Sequence, residues 1–182
     1  MDVRELINRI RYTLKTHSLG RTGEYSRWIW QDEKSTRDLG INEYGCADAA
    51  NILYTICELP GKSAEREAWV KVLKSFQNPE SGLFSEPTHH FIHTTAHCVA
   101  ALELFDEKPD YPLTELLKYT DVNNLYSLLE GLDWSKDPWS QSHRGAGIYA
   151  ALVLAGHVDK AWENAYFSWL WICCCDSRSE GI

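Results

Sequence analysis

The sequence predicts an all-α fold, an α/α toroid of helical hairpins, on three observations. A short signature recurs at a spacing of roughly 50 residues, the mark of stacked supersecondary units. It reads Leu73-x3-Gln77-x4-Gly82-x-Phe84, then Leu129-x3-Asp133-x5-Trp139, then Ile172-x3-Asp176-x4-Gly181-Ile182. Stretches apolar on every side alternate with stretches apolar on one side, as inner and outer helices of a ring would. No period-two alternation competes with the helical pattern.

The elements follow in order. Val3 to Leu14 places Val3, Leu6, Ile7, Ile10 and Leu14 on one helical face, with Arg4, Asn8 and Arg11 elsewhere. A polar and aromatic stretch, residues 16–44, then runs as a long loop, and loops of that length are often functional. Cys46 to Cys57 is apolar nearly throughout and is stopped by Pro60-Gly61, so a buried helix is expected there. Ala64 to Phe76 carries a single stripe (Ala64, Ala68, Trp69, Val72, Leu73, Phe76) opposite Glu65, Arg66, Lys71 and Lys74. The pair recurs as His93 to Phe105 with Asn123 to Leu132, and again as Gly145 to Gly156 with Ala161 to Cys173. Aligning the buried helices puts Gly45, His93 and His143 in one column at their starts. Small residues such as Ala49, Ala50, Ala100, Ala101, Ala150 and Ala151 allow one buried helix to sit close on the next.

Three buried helices and four amphipathic ones are too few to close a ring. The expectation is a single domain over residues 1–182, either an open half-toroid or a piece of a longer chain. An open end leaves apolar surface on the last unit, which favours a homodimer through that end or further repeats.

Composition narrows the partners. A formal net charge of -8 argues against nucleic acid, which needs a basic face. No run of 18 apolar residues suggests a membrane span, and the first residues lack the apolar core of a signal peptide. Cys46, Cys57 and Cys98 lie inside apolar helical patterns, and Cys173, Cys174 and Cys175 are consecutive and face different ways on a helix. Reduced thiols in a cytoplasmic protein are the better reading, ahead of a disulfide framework or S-acylation of the triple cysteine.

The first copy of the signature resembles the repeat motif of the terpenoid-cyclase and protein-prenyltransferase toroids, with Phe84 where those usually carry Trp. The resemblance covers the repeats from about Tyr44 onward. It implies that Gln77 tethers neighbouring helix ends, and that the copies with Asp133 and Asp176 at the Gln position are degenerate. Nothing resembles the acid motif of squalene-type cyclases. Gly45-Cys46 and Phe91-Ile92-His93-Thr94 look like the Cys and His pieces of the prenyltransferase zinc site, and Asp48 would complete a set Cys46, Asp48, His93. Tyr44 stands where that family's Asp would fall, so the resemblance implies an incomplete zinc pattern. Ser142-His143-Arg144-Gly145-Ala146-Gly147 is similar to the zinc motif of lanthionine cyclases, with Ser142 in place of the ligand Cys. The expectation is no cofactor, with zinc as the alternative.

The residues that could carry chemistry gather at the buried-helix starts. His93 and His97, four apart, share one helix face, a spacing suited to an acid/base pair or a metal. His89 and His90 precede them in the loop, where packing is expected. His143 shares the column of His93 and should face the same mouth, and Asp48 is the nearest helical carboxylate. These four, His93, His97, His143 and Asp48, are the catalytic candidates. For each, the plain alternative is capping or packing. Trp28, Trp30, Tyr44, Phe84 and Trp139 flank the same starts and form candidate substrate platforms for sugar rings or apolar chains, or loop anchors. Glu24, Asp32, Glu43, Asp48 and Glu86 supply carboxylates, and a pair such as Asp48 and Glu86 could do glycosidase work, as in toroidal glycoside hydrolases and polysaccharide lyases. Two functions stay open: an enzyme acting at the mouth on a glycan or prenyl-like substrate, or a non-catalytic ligand- or protein-binding repeat domain.

Overall fold

The computed structural model describes residues 3–31 and 37–176. Asp32, Gly181 and Ile182 lie outside them, as do the side chains of Cys173, Cys174 and Cys175. Among the described residues seven α-helices run in order: α1 Val3–His17, α2 Glu43–Thr55, α3 Ser63–Lys74, α4 Phe91–Glu103, α5 Val122–Glu130, α6 Pro138–Leu154 and α7 Lys160–Asp176. A 3₁₀ turn, Leu117–Thr120, precedes α5. Among the described residues there is no strand, only the isolated bridges Ser18–Tyr25 and Gln77–Phe84. No described helix is long and apolar enough to cross a membrane.

α4 is the spine. It packs on α2 on one side and on α6 on the other. Its Ile92 and Ala96 belong to a core shared with α5, α6 and α7, which includes Leu125, Leu129, Ile148 and Leu152. Its Cys98, Val99, Ala101 and Leu102 belong to a second core, with Leu14, Ala47, Ala50, Trp69 and Leu73. The all-round apolar pattern of α4 therefore reports burial on both flanks. α2 departs from expectation. Asp48, Ile52 and Tyr54 are exposed, because its apolar neighbours α3 and α4 leave part of its surface uncovered.

α7 closes the described structure. Its Trp162 indole donates to the Tyr119 carbonyl at 2.9 Å, and its Tyr166 hydroxyl donates to the Gly145 carbonyl of α6 at 2.9 Å. Trp169 packs on the same core. This face thus packs on α5, α6 and the 3₁₀ turn, while Phe167, Trp171 and Ile172 stand 50%, 73% and 57% exposed.

The signature has a visible purpose in its first copy. Gln77 is buried and its amide donates to the Gly82 carbonyl at 2.9 Å and the Tyr111 carbonyl at 2.7 Å, while its oxygen accepts from the Tyr111 amide at 3.1 Å. It clamps the turn after α3 to the chain entering the 3₁₀ turn. Gly82 adopts φ +73, and a Cβ there would lie 1.8 Å from the Pro112 carbonyl oxygen. In the second copy Asp133 is too short to cross to a neighbour. It bonds the Ser135 amide and hydroxyl at 3.2 and 2.6 Å and pairs with Lys136.

Most helix ends lie one to three residues from the sequence reading, and the start of α6 lies further off. α1 continues through His17, so the long connection starts at Ser18. α6 starts at Pro138 and not at Gly145, because Asp137 caps it by accepting from the Ser140 amide at 3.1 Å and Pro138 occupies the first turn. His143 consequently lies inside the helix, a turn beyond its start.

Candidate functional site

The starts of α2 and α4 and the second turn of α6 meet in a cluster of imidazoles. Asn42 caps α2 by accepting from the Gly45 amide at 3.1 Å, which brings Glu43 and Tyr44 into the first turn. His90 caps α4 by accepting from the Ile92 amide at 3.2 Å, so His93 and His97 follow one above the other on that helix. α6 reaches them because Gly147 has no side chain. A Cβ there would stand 3.1 Å from Ile92 Cγ2 and 3.3 Å from the Ile92 carbonyl. This close approach stacks His143 on His93, with ring centroids 4.0 Å apart and planes 12° from parallel.

His97 is held from both sides. Its Nδ1 lies 3.3 Å from Glu43 Oε1 and its Nε2 lies 3.1 Å from Asp48 Oδ1. Burial works against its charge, but the hydrogen bonds to Asp48 and Glu43 outweigh it and hold the imidazole up at about 9. At neutral pH it is a cation. Glu43 is only 1% exposed, and burial pushes its carboxyl upward against the pull of His97. Its Oε2 and the Tyr44 hydroxyl are buried and find no hydrogen-bond partner among the described residues, although Cys98 and Thr94 lie beside them. Orphaned buried polar atoms are rare, and each costs about 1–3 kcal/mol.

His93 contrasts with its neighbour. Its ring nitrogens make no hydrogen bond with any described residue. Burial first, then His143, His97 and His89, push its pKa down to about 4, so it is neutral at pH 7. The two imidazoles, with centroids 6.3 Å apart, thus hold opposite protonation states.

A third group completes the floor. Tyr44 lies between His89 and His97, with centroids 4.3 and 4.5 Å away. Glu86 is buried and accepts from the Thr88 amide at 2.8 Å and the Thr88 hydroxyl at 2.6 Å, with His89 at 3.3 Å and Arg27 at 3.4 Å. Burial disfavours its charge, yet these partners hold the carboxyl below the usual range. The Arg27 guanidinium stands over both Tyr44 and Trp28, 4.9 and 5.1 Å from their ring centres.

No protein family, curated protein or solved structure matches this chain. The site is therefore read from its own geometry.

Of the catalytic candidates, His143 stacks on His93, His97 lies one turn further along α4, and Asp48 reaches His97 at 3.1 Å. The aromatic candidates divide. Tyr44 is buried within the cluster. Trp139 is 72% exposed and meets His143 edge-on at 4.7 Å. Trp28 lines a cavity of about 520 Å³ with Glu43 and Glu86, and Trp30 is exposed beside Arg37. Phe84 is fully buried, its backbone bonded in both directions to the Thr95 hydroxyl, so it has no face to offer a ligand. The set Cys46, Asp48, His93 is not assembled. The Cys46 thiol points to the Tyr25 backbone, accepting at 3.4 Å and donating at 3.6 Å, and burial pushes it up to about 11. Among the described residues no three His, Cys, Asp or Glu side chains form a metal-holding group.

The sequence pattern does not single out Glu43 among the nearby carboxylates, whereas its place in the first turn of α2 makes it the buried partner of His97. The signal was Asn42 preceding an apolar helical run, an N-cap that fixes which residues fall in the first turn.

Proposed function

We propose that this protein is an enzyme of the α/α-toroid type, an incomplete ring of helical hairpins, performing acid/base chemistry on a glycan at the mouth formed by α2, α4 and α6. One observation carries the reading. A neutral imidazole with free nitrogens, His93, lies beside an imidazolium, His97, that is clamped between Glu43 and Asp48. Titratable neighbours driven apart in pKa are how one site supplies a base and a positive charge at the same pH. His93 is the general base, His97 stabilises the developing negative charge, and His143 orients His93 by stacking. Trp139 and Trp28 favour a glycan over a prenyl-like chain, because they stand beside carboxylates and imidazoles and not in an apolar tunnel. The chemistry calls for no cofactor. Free thiols at Cys46, Cys57 and Cys98 suit the cytoplasm.

The test is turnover on a panel of polysaccharides, read as new reducing ends or as unsaturated product. His93→Ala should lower the rate by roughly 10²–10⁴-fold while the protein stays folded. Full activity in that variant removes His93 from the mechanism. No turnover on any glycan, with no shift of the His93 or His143 ring resonances on adding them, rejects the enzyme reading.

The second reading, a non-catalytic binding repeat, draws on a separate observation, the exposed Phe167, Trp171 and Ile172 of α7. On that reading a second copy of the chain covers this face.

A further inference from the structure

A cavity of about 370 Å³ lies between α1 and α2 and borders the imidazole cluster at Asp48. Its floor is apolar: Ile10 and Leu14 from α1, Ala49 and Ile52 from α2. Its walls are fixed by hydrogen bonds. The strand of loop around Tyr25 and Ser26 is tied to α1 by the Ser26 amide, which donates to the His17 carbonyl at 2.9 Å, and by the His17 ring at 2.9 Å from the Ser26 carbonyl. It is tied to α2 by the Asn42 amide, which donates to the Tyr25 carbonyl at 3.1 Å, and by Cys46. A preformed, mostly apolar cavity with a few polar groups at its rim is the usual form of a small-molecule site.

The polar rim states what the ligand must carry. Arg9 lines the cavity and has no hydrogen bond or ion pair with any described residue. Asp48 lines it too, and it makes no ion pair with Arg9. Only its Oδ1 is committed, to His97. Arg27 also borders the space, but Glu86 and Thr88 hold it. One free cation and one half-free carboxylate thus flank an apolar floor without pairing to each other. A simple anion would satisfy Arg9 and be repelled by Asp48, and a simple amine would do the reverse. A molecule with both charges and an apolar body satisfies all three surfaces.

We propose that the cavity between α1 and α2 binds an apolar α-amino acid, its carboxylate on Arg9, its ammonium on Asp48 and its side chain on Ile10, Leu14, Ala49 and Ile52. Because Asp48 also holds His97, occupancy draws on the same carboxylate that charges that imidazole, and the ligand is coupled to the imidazole cluster through one side chain. This goes beyond the glycan reading and does not depend on it.

The experiment is calorimetric titration of the purified protein with leucine and phenylalanine, beside leucinamide and 4-methylpentanoate, which lack the carboxylate and the ammonium respectively. The expected result is a dissociation constant at or below about 1 mM for at least one amino acid. Each probe should bind at least about tenfold more weakly, and Arg9→Ala should do the same to the amino acid, with Arg9→Lys recovering part of the loss. The His97 ring resonances should move on binding. Arg9 is exposed, so its variants are expected to fold, and their thermal melts check that. Absence of binding by both amino acids at that concentration overturns the proposal. So does binding of 4-methylpentanoate as tight as leucine, which makes the site one for simple carboxylates, and so does an undiminished affinity in Arg9→Ala.

Discussion

Raising the pH should unfasten the start of α2 from α4, and the amount can be worked from His97. Its pKa rises from 6.5 in the unfolded chain to about 9 in the folded protein. The folded state therefore binds the proton more tightly, so the stabilisation is fully present below pH 6.5 and is lost as the pH climbs through 9. At about 1.36 kcal/mol per pH unit the whole shift is worth at most about 3 kcal/mol. The side chain is 17% exposed, so solvent screening removes only part of this. Against a typical domain stability of about 5–15 kcal/mol the loss is large. Cys46 contributes with the same sign but in a later window, from 9.0 to about 11, so the interval between pH 6.5 and 9 belongs to His97. Urea unfolding across that interval should show the midpoint falling without a change in slope. His97→Gln, which keeps an amide donor for one carboxylate and discards the titration, should flatten the profile. If the wild type is equally stable at both ends of the window, or if the variant falls in parallel, the imidazolium clamp is not what joins these helices.

Four other outcomes follow from the same geometry. Gly82→Ala should cost more than about 3 kcal/mol or prevent folding, since it combines a positive φ with a collision on Pro112. Gly20→Ala, at φ +85 with nothing within 4 Å, should cost only about 1 kcal/mol, and urea midpoints compare the two. Gln77→Leu should cost about 2–3 kcal/mol by denaturation, because it strands the Gly82 and Tyr111 backbone groups it served. The His93 contribution has the opposite sign to that of His97: a depressed pKa means stability present above 6.5 and lost as pH falls towards about 4, and His93→Phe should make acid unfolding less steep. Trp171→Glu should turn a self-associating protein into a monomer by light scattering, and a wild type that is already monomeric at high concentration argues against the open-end contact.

The helices were legible because their signals are local. Periodicity marked every one of them, and Asp137-Pro138 shows how a missed boundary could have been found: the N-cap and first-turn proline stood in the sequence, but the polar Ser140, Gln141 and Ser142 hid the helix from an apolar count. The imidazole cluster was half legible. The shared column pointed His93 and His143 to the same mouth, and they meet there although His143 lies a turn deeper in its helix than the column implied. The partners of His97 were not legible, because Glu43 and Asp48 reach it across 54 and 49 residues of chain and no spacing rule selects them. The burial of Phe84 was not legible for a related reason. An aromatic beside a helix start can face out or in, and only the bonds of its backbone to Thr95 decide.

The two copies of the signature make their joins by different chemistry. In the first copy Gln77 has the length to cross from one turn to the next hairpin and carries both a donor and an acceptor, so it serves two backbone segments at once. Asp133 has one methylene fewer and only acceptors, and it turns back on Ser135 and Lys136. The join beyond it is made by other means: α7 is fixed to the hairpin before it through the indole of Trp162 and the hydroxyls of Tyr126 and Tyr166. Aromatic side chains there combine area burial with a single hydrogen bond each, which replaces one polar clamp by several amphipathic ones. On the same helix Phe167 and Trp171 face outward, so the unit joined by aromatic side chains is also one that keeps apolar surface exposed.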